Sequence, residues 1–175
     1  MMEAKFNSEA VMARKFKIFL DSWASSSGFS VINELPRVLG IPDYLLFRSN
    51  KKSITYAIAI ELKRNNWRRG LLQAFKYKIF TNESYVVIDD HYLRPALKNA
   101  PVFRKANVGL ASFSTDSKFY IHITPNPSRP FSEEYAGVMA RVVSDLTKKK
   151  PTSLSPLFAN EALQRHPFNS LILKF

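Results

Sequence analysis

Ile41-Pro42-Asp43-Tyr44-Leu45-Leu46-Phe47, followed after a polar break by Ile54-Thr55-Tyr56-Ala57-Ile58-Ala59-Ile60-Glu61-Leu62-Lys63, decides how this chain is read. Both runs have strand length and are rich in aliphatic and aromatic residues, which predicts a hairpin with its turn over 48–53. Three charges intrude on this apolar background. Asp43 opens the first strand, and Glu61 and Lys63 close the second. Charges seldom enter a sheet interior unless they are paired or hold a metal.

Side chains alternate along a strand, so Tyr56, Ile58, Ile60 and Leu62 share one face, with Thr55, Ala57, Ala59, Glu61 and Lys63 on the other. Glu61 and Lys63 therefore point the same way, beyond two small alanines. With Asp43 beside them on the neighbouring strand, two carboxylates and an ammonium converge at one end of the sheet. A hard divalent cation takes one or two carboxylates, completed by water and phosphate oxygens. The pattern therefore points to Mg²⁺- or Mn²⁺-dependent phosphodiester hydrolysis, with Lys63 orienting the water or stabilising charge on the phosphate.

Outward from this core, Ser8 is the expected N-cap of a helix over 8–24, with an apolar stripe of Val11, Phe16, Phe19, Leu20 and Trp23. A strand is expected over 29–34. Asn65 or Asn66 is expected to cap a helix reaching residue 80, whose Leu72, Phe75 and Ile79 would pack on the sheet. Residues 85–89 form a continuous apolar run, the mark of a parallel strand buried on both faces. A short helix over 92–99, a hairpin of 108–113 with 118–123, a proline-rich loop and a helix over 132–150 follow. The expected fold is α/β, a central mixed sheet flanked by helices. It forms one domain over 1–175, with its motif-bearing core over about 8–125 and a helical extension over about 131–175.

Lys63-Arg64-Asn65-Asn66-Trp67-Arg68-Arg69 is a basic run around an indole. Arg64, Arg68 and Arg69 suit phosphates, and Trp67 suits stacking on a base, although it also suits a core. Gln73 and Tyr77, four residues apart, share a helical face. Gln73 would help to hold the site, and Tyr77 would either support it or touch nucleic acid.

Pro42-Asp43 with Glu61-Leu62-Lys63 resembles the signature of the PD-(D/E)XK nuclease superfamily, whose members share the restriction-endonuclease-like fold. Gln73-Ala74-Phe75-Lys76-Tyr77 is similar to the Q-x-x-x-Y motif of its RecB-like branch. The resemblance spans about 8–89. It implies that Asp43, Glu61 and the Leu62 carbonyl bind the metal and that Lys63 is the catalytic base or electrostatic partner. In many members, archaeal Holliday-junction resolvases included, a glutamate on the first helix also lies near the metal. Glu9 matches it by position.

Bulk properties agree with a polyanionic partner. Lys and Arg number 26 against 14 Asp and Glu, a net charge of +12, which favours nucleic acid, most simply DNA. The absence of cysteine excludes disulfides, thiolate zinc sites and cysteine nucleophiles. Arg14, Lys15, Lys17 and Asp21 interrupt the apolar N-terminal stretch, so neither a signal-peptide core nor a spanning helix is expected, and an intracellular, cytoplasmic location is. Ser25-Ser26-Ser27-Gly28 lacks a P-loop lysine, so no nucleotide cofactor is expected. His91, His122 and His166 show no metal-ligand spacing.

Each residue also has a plainer reading. Asp43 fits an ordinary strand start, Glu61 and Lys63 a solvated strand end, Glu9 a first-turn acid stabilising a helix N-terminus, Glu34 a surface strand position, and 148–150 a solvated helix end. Their joint order and spacing favour a nuclease cutting DNA, with homodimerisation expected because a duplex has two strands. The alternative is an inactive binding or assembly module of the same fold.

Overall fold

The second strand of the quoted run is realised residue for residue, whereas the first starts one residue after Asp43 and continues two residues into the expected turn, to Ser49. In a computed structural model describing residues 4–36, 38–50 and 53–147, β3 spans Ile54–Lys63 and β2 spans Tyr44–Ser49. They pair antiparallel, with Tyr44 opposite Ile60 and Phe47 opposite Ala57. The register shifts at Arg48/Ser49, near the hairpin's turn. The whole architecture is mixed α/β, a single open six-stranded sheet in the order β1-β2-β3-β4-β5-β6. β1 (Ser30–Asn33) flanks β2, β4 (Glu83–Asp89) and β5 (Gly109–Phe113) run parallel to β3, and β6 (Phe119–Ile123) closes the far edge antiparallel.

Helices cover both faces. α1 (Glu9–Ser27) starts where Val11 donates its amide to the Ser8 hydroxyl, and it ends at Gly28, whose φ of 71° suits a residue without Cβ. Its Met12, Phe16, Leu20, Trp23 and Ala24 are buried against Tyr44, Leu46, Tyr56, Ile58, Ile60 and Leu62. On the other face lie α2 (Trp67–Tyr77), α3 (Leu93–Leu97), α4 (Ala100–Ala106) and α5 (Glu133–Thr147). α5 packs Ala136, Met139, Ala140, Val142 and Val143 on the side of Leu45, Ala57 and Ala59. Among the described residues no helix is long and apolar enough to cross a membrane.

Several expectations are corrected. α2 buries Trp67, Gly70, Leu71, Ala74 and Tyr77, while Leu72 and Phe75 lie exposed. Ile79 is partly buried, beyond the helix end. Two apolar stripes compete on this helix, and the one with small residues wins because Gly70 and Ala74 let the backbone approach the sheet. The single helix expected over 92–99 is a 3₁₀ turn (Asp90–Tyr92) leading into α3, and α4 follows as a further helix. β4 begins two residues earlier than its apolar run, with Glu83 fully buried and accepting hydrogen bonds from the Tyr56 and Tyr85 hydroxyls. Lys148 to Lys150, His166 and the rest of the expected extension beyond Thr147 lie outside the described residues.

Candidate active site

The ladder between β2 and β3 places the acids. β2 begins at Tyr44, opposite Ile60, so the residue before it falls beside Glu61 and Leu62. The Leu62 amide, left without a strand partner there, donates to Asp43 Oδ2 at 2.7 Å. A side-chain oxygen thus continues the ladder one step past the end of the strand and fixes the Asp43 carboxylate at the sheet rim.

Glu61 is 2 % exposed. Its Oε1 accepts from Lys63 Nζ at 2.6 Å and its Oε2 from the Tyr77 hydroxyl at 2.7 Å. Lys63 Nζ also donates to the Leu62 carbonyl at 2.9 Å. Glu61 and Lys63 share the face turned to α2, as strand alternation requires. The lysine stem is accommodated there by Gly70, where a Cβ would lie 2.9 Å from Lys63 Cγ.

Tyr77 ties three elements together. Besides Glu61, its hydroxyl reaches the Ile41 carbonyl at 2.9 Å, so one phenolic hydrogen is shared between two acceptors. Its ring closes on Gly40, where φ is +84° and a Cβ would come within 2.8 Å of the ring. The segment leading into Asp43 is held against α2 in this way. Burial first, and then Glu61, push the Tyr77 phenol far above its ordinary range, so it remains a donor. Gln73, one turn earlier, favours the ionised phenol through a hydrogen bond, and its Oε1 is buried without a partner.

Glu9 arrives from the opposite face. The Phe6 amide donates to Asp89 Oδ2 at 2.9 Å, pinning the segment before α1 across the end of β4. Glu9 Oε1 then lies 3.6 Å from Lys63 Nζ, while Oε2 accepts the Arg64 amide at 3.1 Å. The Arg64 guanidinium donates to the Asn7 carbonyl and to the Tyr92 hydroxyl and lies over the Tyr92 ring. This arginine is fixed beside the acids.

Burial and then the nearby Glu61 raise the Asp43 carboxyl from 3.8 to about 6. That is the mark of two carboxylates sharing a confined rim. Among the described residues no three His, Cys, Asp or Glu side chains are gathered as a metal-ligand group. The oxygens present are two carboxylates and a backbone carbonyl, with Glu9 nearby. Such all-oxygen donors fit a hard cation that keeps several waters. A positive charge is already accommodated among them, since the Lys63 ammonium touches both Glu61 and the Leu62 carbonyl.

Asp43, Glu61, Leu62, Lys63, Gln73 and Tyr77 are thus brought together, with Glu9 and Arg64 alongside. Two assignments change. Trp67 is 6 % exposed and packs on Phe103, so it belongs to the core and offers no stacking platform. The Arg68 guanidinium covers its ring at 4.5 Å. Tyr77 is buried and positions Glu61, so it does not grip nucleic acid. Arg68 and Arg69 are exposed at the start of α2. Glu34 is exposed in a left-handed turn, where its amide donates to the Asp43 carbonyl, so it supports the strand entry. Asn7, Tyr92 and Gly70 were not anticipated. The i, i+4, i+7 spacing of Trp67, Leu71 and Ala74 was the available signal for the buried face of α2.

No family model and no curated protein matches the chain. Among solved structures, Pyrococcus furiosus SfsA in complex with Ca²⁺ is similar at a TM-score of 0.38 and 14% identity. The similarity covers 63% of this chain and 62% of that one. At that level it assigns neither family nor activity.

Proposed function

We propose that the protein is a metal-dependent nuclease of the PD-(D/E)XK type, hydrolysing phosphodiester bonds in DNA. The observation that carries this reading is the convergence of Asp43, Glu61 and Lys63 on one rim, Asp43 held by the Leu62 amide and Lys63 bridging Glu61 and the Leu62 carbonyl. Asp43, Glu61 and the Leu62 carbonyl would hold Mg²⁺ or Mn²⁺, which when bound acidifies a water and neutralises phosphate charge. Lys63 orients the attacking water and stabilises the developing negative charge. Tyr77 keeps Glu61 aimed at the site, and the buried Gln73 Oε1 offers an acceptor to a water there. Arg64, Arg68 and Arg69 draw the backbone of the nucleic acid to this end of the sheet.

The test is incubation of plasmid and linear DNA with the protein and Mg²⁺, with and without EDTA, alongside Asp43→Ala, Glu61→Ala and Lys63→Ala. Cleavage by the wild type, with loss by about a thousandfold or more in each variant and in EDTA, is expected. DNA binding should survive, since the cations that attract phosphates remain. Undiminished cleavage in the carboxylate variants overturns the assigned site. DNA retention without cleavage under any divalent metal would instead favour a binding module.

A further inference from the structure

We propose that Lys63 serves this acidic cluster as its built-in counter-ion and that its ammonium leaves Glu61 when a divalent cation is loaded. The inference deepens the nuclease reading and rests on it. Its basis is geometric. Lys63 Nζ stands 2.6 Å from Glu61 Oε1 and 2.9 Å from the Leu62 carbonyl oxygen, two of the three donors assigned to the metal. A magnesium ion bound to those same oxygens at about 2.0–2.1 Å would lie almost on top of the ammonium. Two positive charges cannot share that volume, so binding one expels the other.

The surroundings permit this exchange without disturbing the sheet. The lysine stem is hemmed in at Cγ by Gly70, but the amine lies at the end of three further bonds. Glu9 Oε1 is 3.6 Å away on a side chain that is half exposed, so the displaced ammonium keeps a carboxylate partner at the rim. Lys63 therefore holds the carboxylates together in the metal-free protein and moves to the substrate side as the site fills. The competition also weakens cation binding, because every ion must first displace a hydrogen-bonded, largely buried partner.

Calorimetric titration of Ca²⁺ and Mg²⁺ into the full chain tests this without any reliance on turnover. Lys63→Met is expected to bind Ca²⁺ about tenfold more tightly than the wild type, since its site has no resident charge to displace. Lys63→Arg, which keeps the charge, should stay within about threefold of the wild type. Glu61→Gln should abolish the heat in both backgrounds, assigning it to this site. Equal or weaker binding by Lys63→Met overturns the exchange and leaves the nuclease reading standing. Absence of cation binding in the wild type and Lys63→Met alike overturns both. Should Lys63→Met fail to fold, ¹⁵N NMR of the wild type carries the test. The Lys63 ammonium resonance should shift on addition of Ca²⁺, and an unchanged resonance overturns the proposal.

Discussion

Tyr77 does at residue scale what no charged side chain here can do alone. One hydroxyl restrains the buried Glu61 and the strand entry at Ile41 together. Tyr77→Phe keeps the packing and removes only that restraint. Cleavage should fall by about 10- to 100-fold with DNA affinity unchanged, as read by initial rates and a filter-binding titration. Asp43 is held in tension of another kind, its carboxyl raised from 3.8 to about 6 by burial and by Glu61. Below 3.8 the group is neutral in both folded and unfolded chains. Between 3.8 and about 6 the unfolded chain releases its proton while the folded one retains it, so stability falls as pH rises through that window. Asp43→Asn removes the ionisation. It should lose cleavage yet raise the melting temperature at pH 7.5 by about 3 °C or more, with the gain vanishing near pH 4 in thermal melts.

Among elements, the contact between α2 and the β3–β4 pair decides whether the site is in register. Gly70 sits where a Cβ would meet Val86 at 2.8 Å and Lys63 at 2.9 Å. Gly70→Ala should therefore destabilise the fold by about 1–3 kcal/mol in urea titrations and lower cleavage by displacing the lysine stem. This scale also separates what the sequence reveals from what it hides. β3 was legible to the residue because a ten-residue alternation with β-branched side chains has no helical reading. Asp43, Glu61 and Lys63 were legible because strand alternation and the hairpin bring them to one end, and Gln73 through the resemblance to the Q-x-x-x-Y motif. The buried face of α2 was misread because Leu72 and Phe75 outweigh Gly70 and Ala74 in hydrophobicity, whereas closeness of approach decides packing. The start of β4 at Glu83, before its apolar run, was hidden because Glu83's partners, Tyr56 and Tyr85, lie on a neighbouring strand and two residues along its own. No local pattern reports such a tertiary pairing.

At the scale of the whole molecule, the chain carries a net charge of +12 while the acidic cluster sits at one end of the sheet. Arg64 is fixed beside the acids, whereas Arg68 and Arg69 are exposed on α2. Binding to DNA in EDTA should weaken steeply with salt. The Arg68→Ala/Arg69→Ala double variant should lower the slope of log K against log salt by about two, as measured by fluorescence anisotropy. The hairpin between β2 and β3 has a different consequence. Because Asp43 precedes β2 and Glu61 lies near the end of β3, the turn joining the two strands lies at their far end, where the register shift at Arg48/Ser49 already absorbs an irregularity. That corner is a natural attachment point. A reporter peptide or fluorophore grafted there would ride on the protein at the opposite end of these strands from the acidic rim.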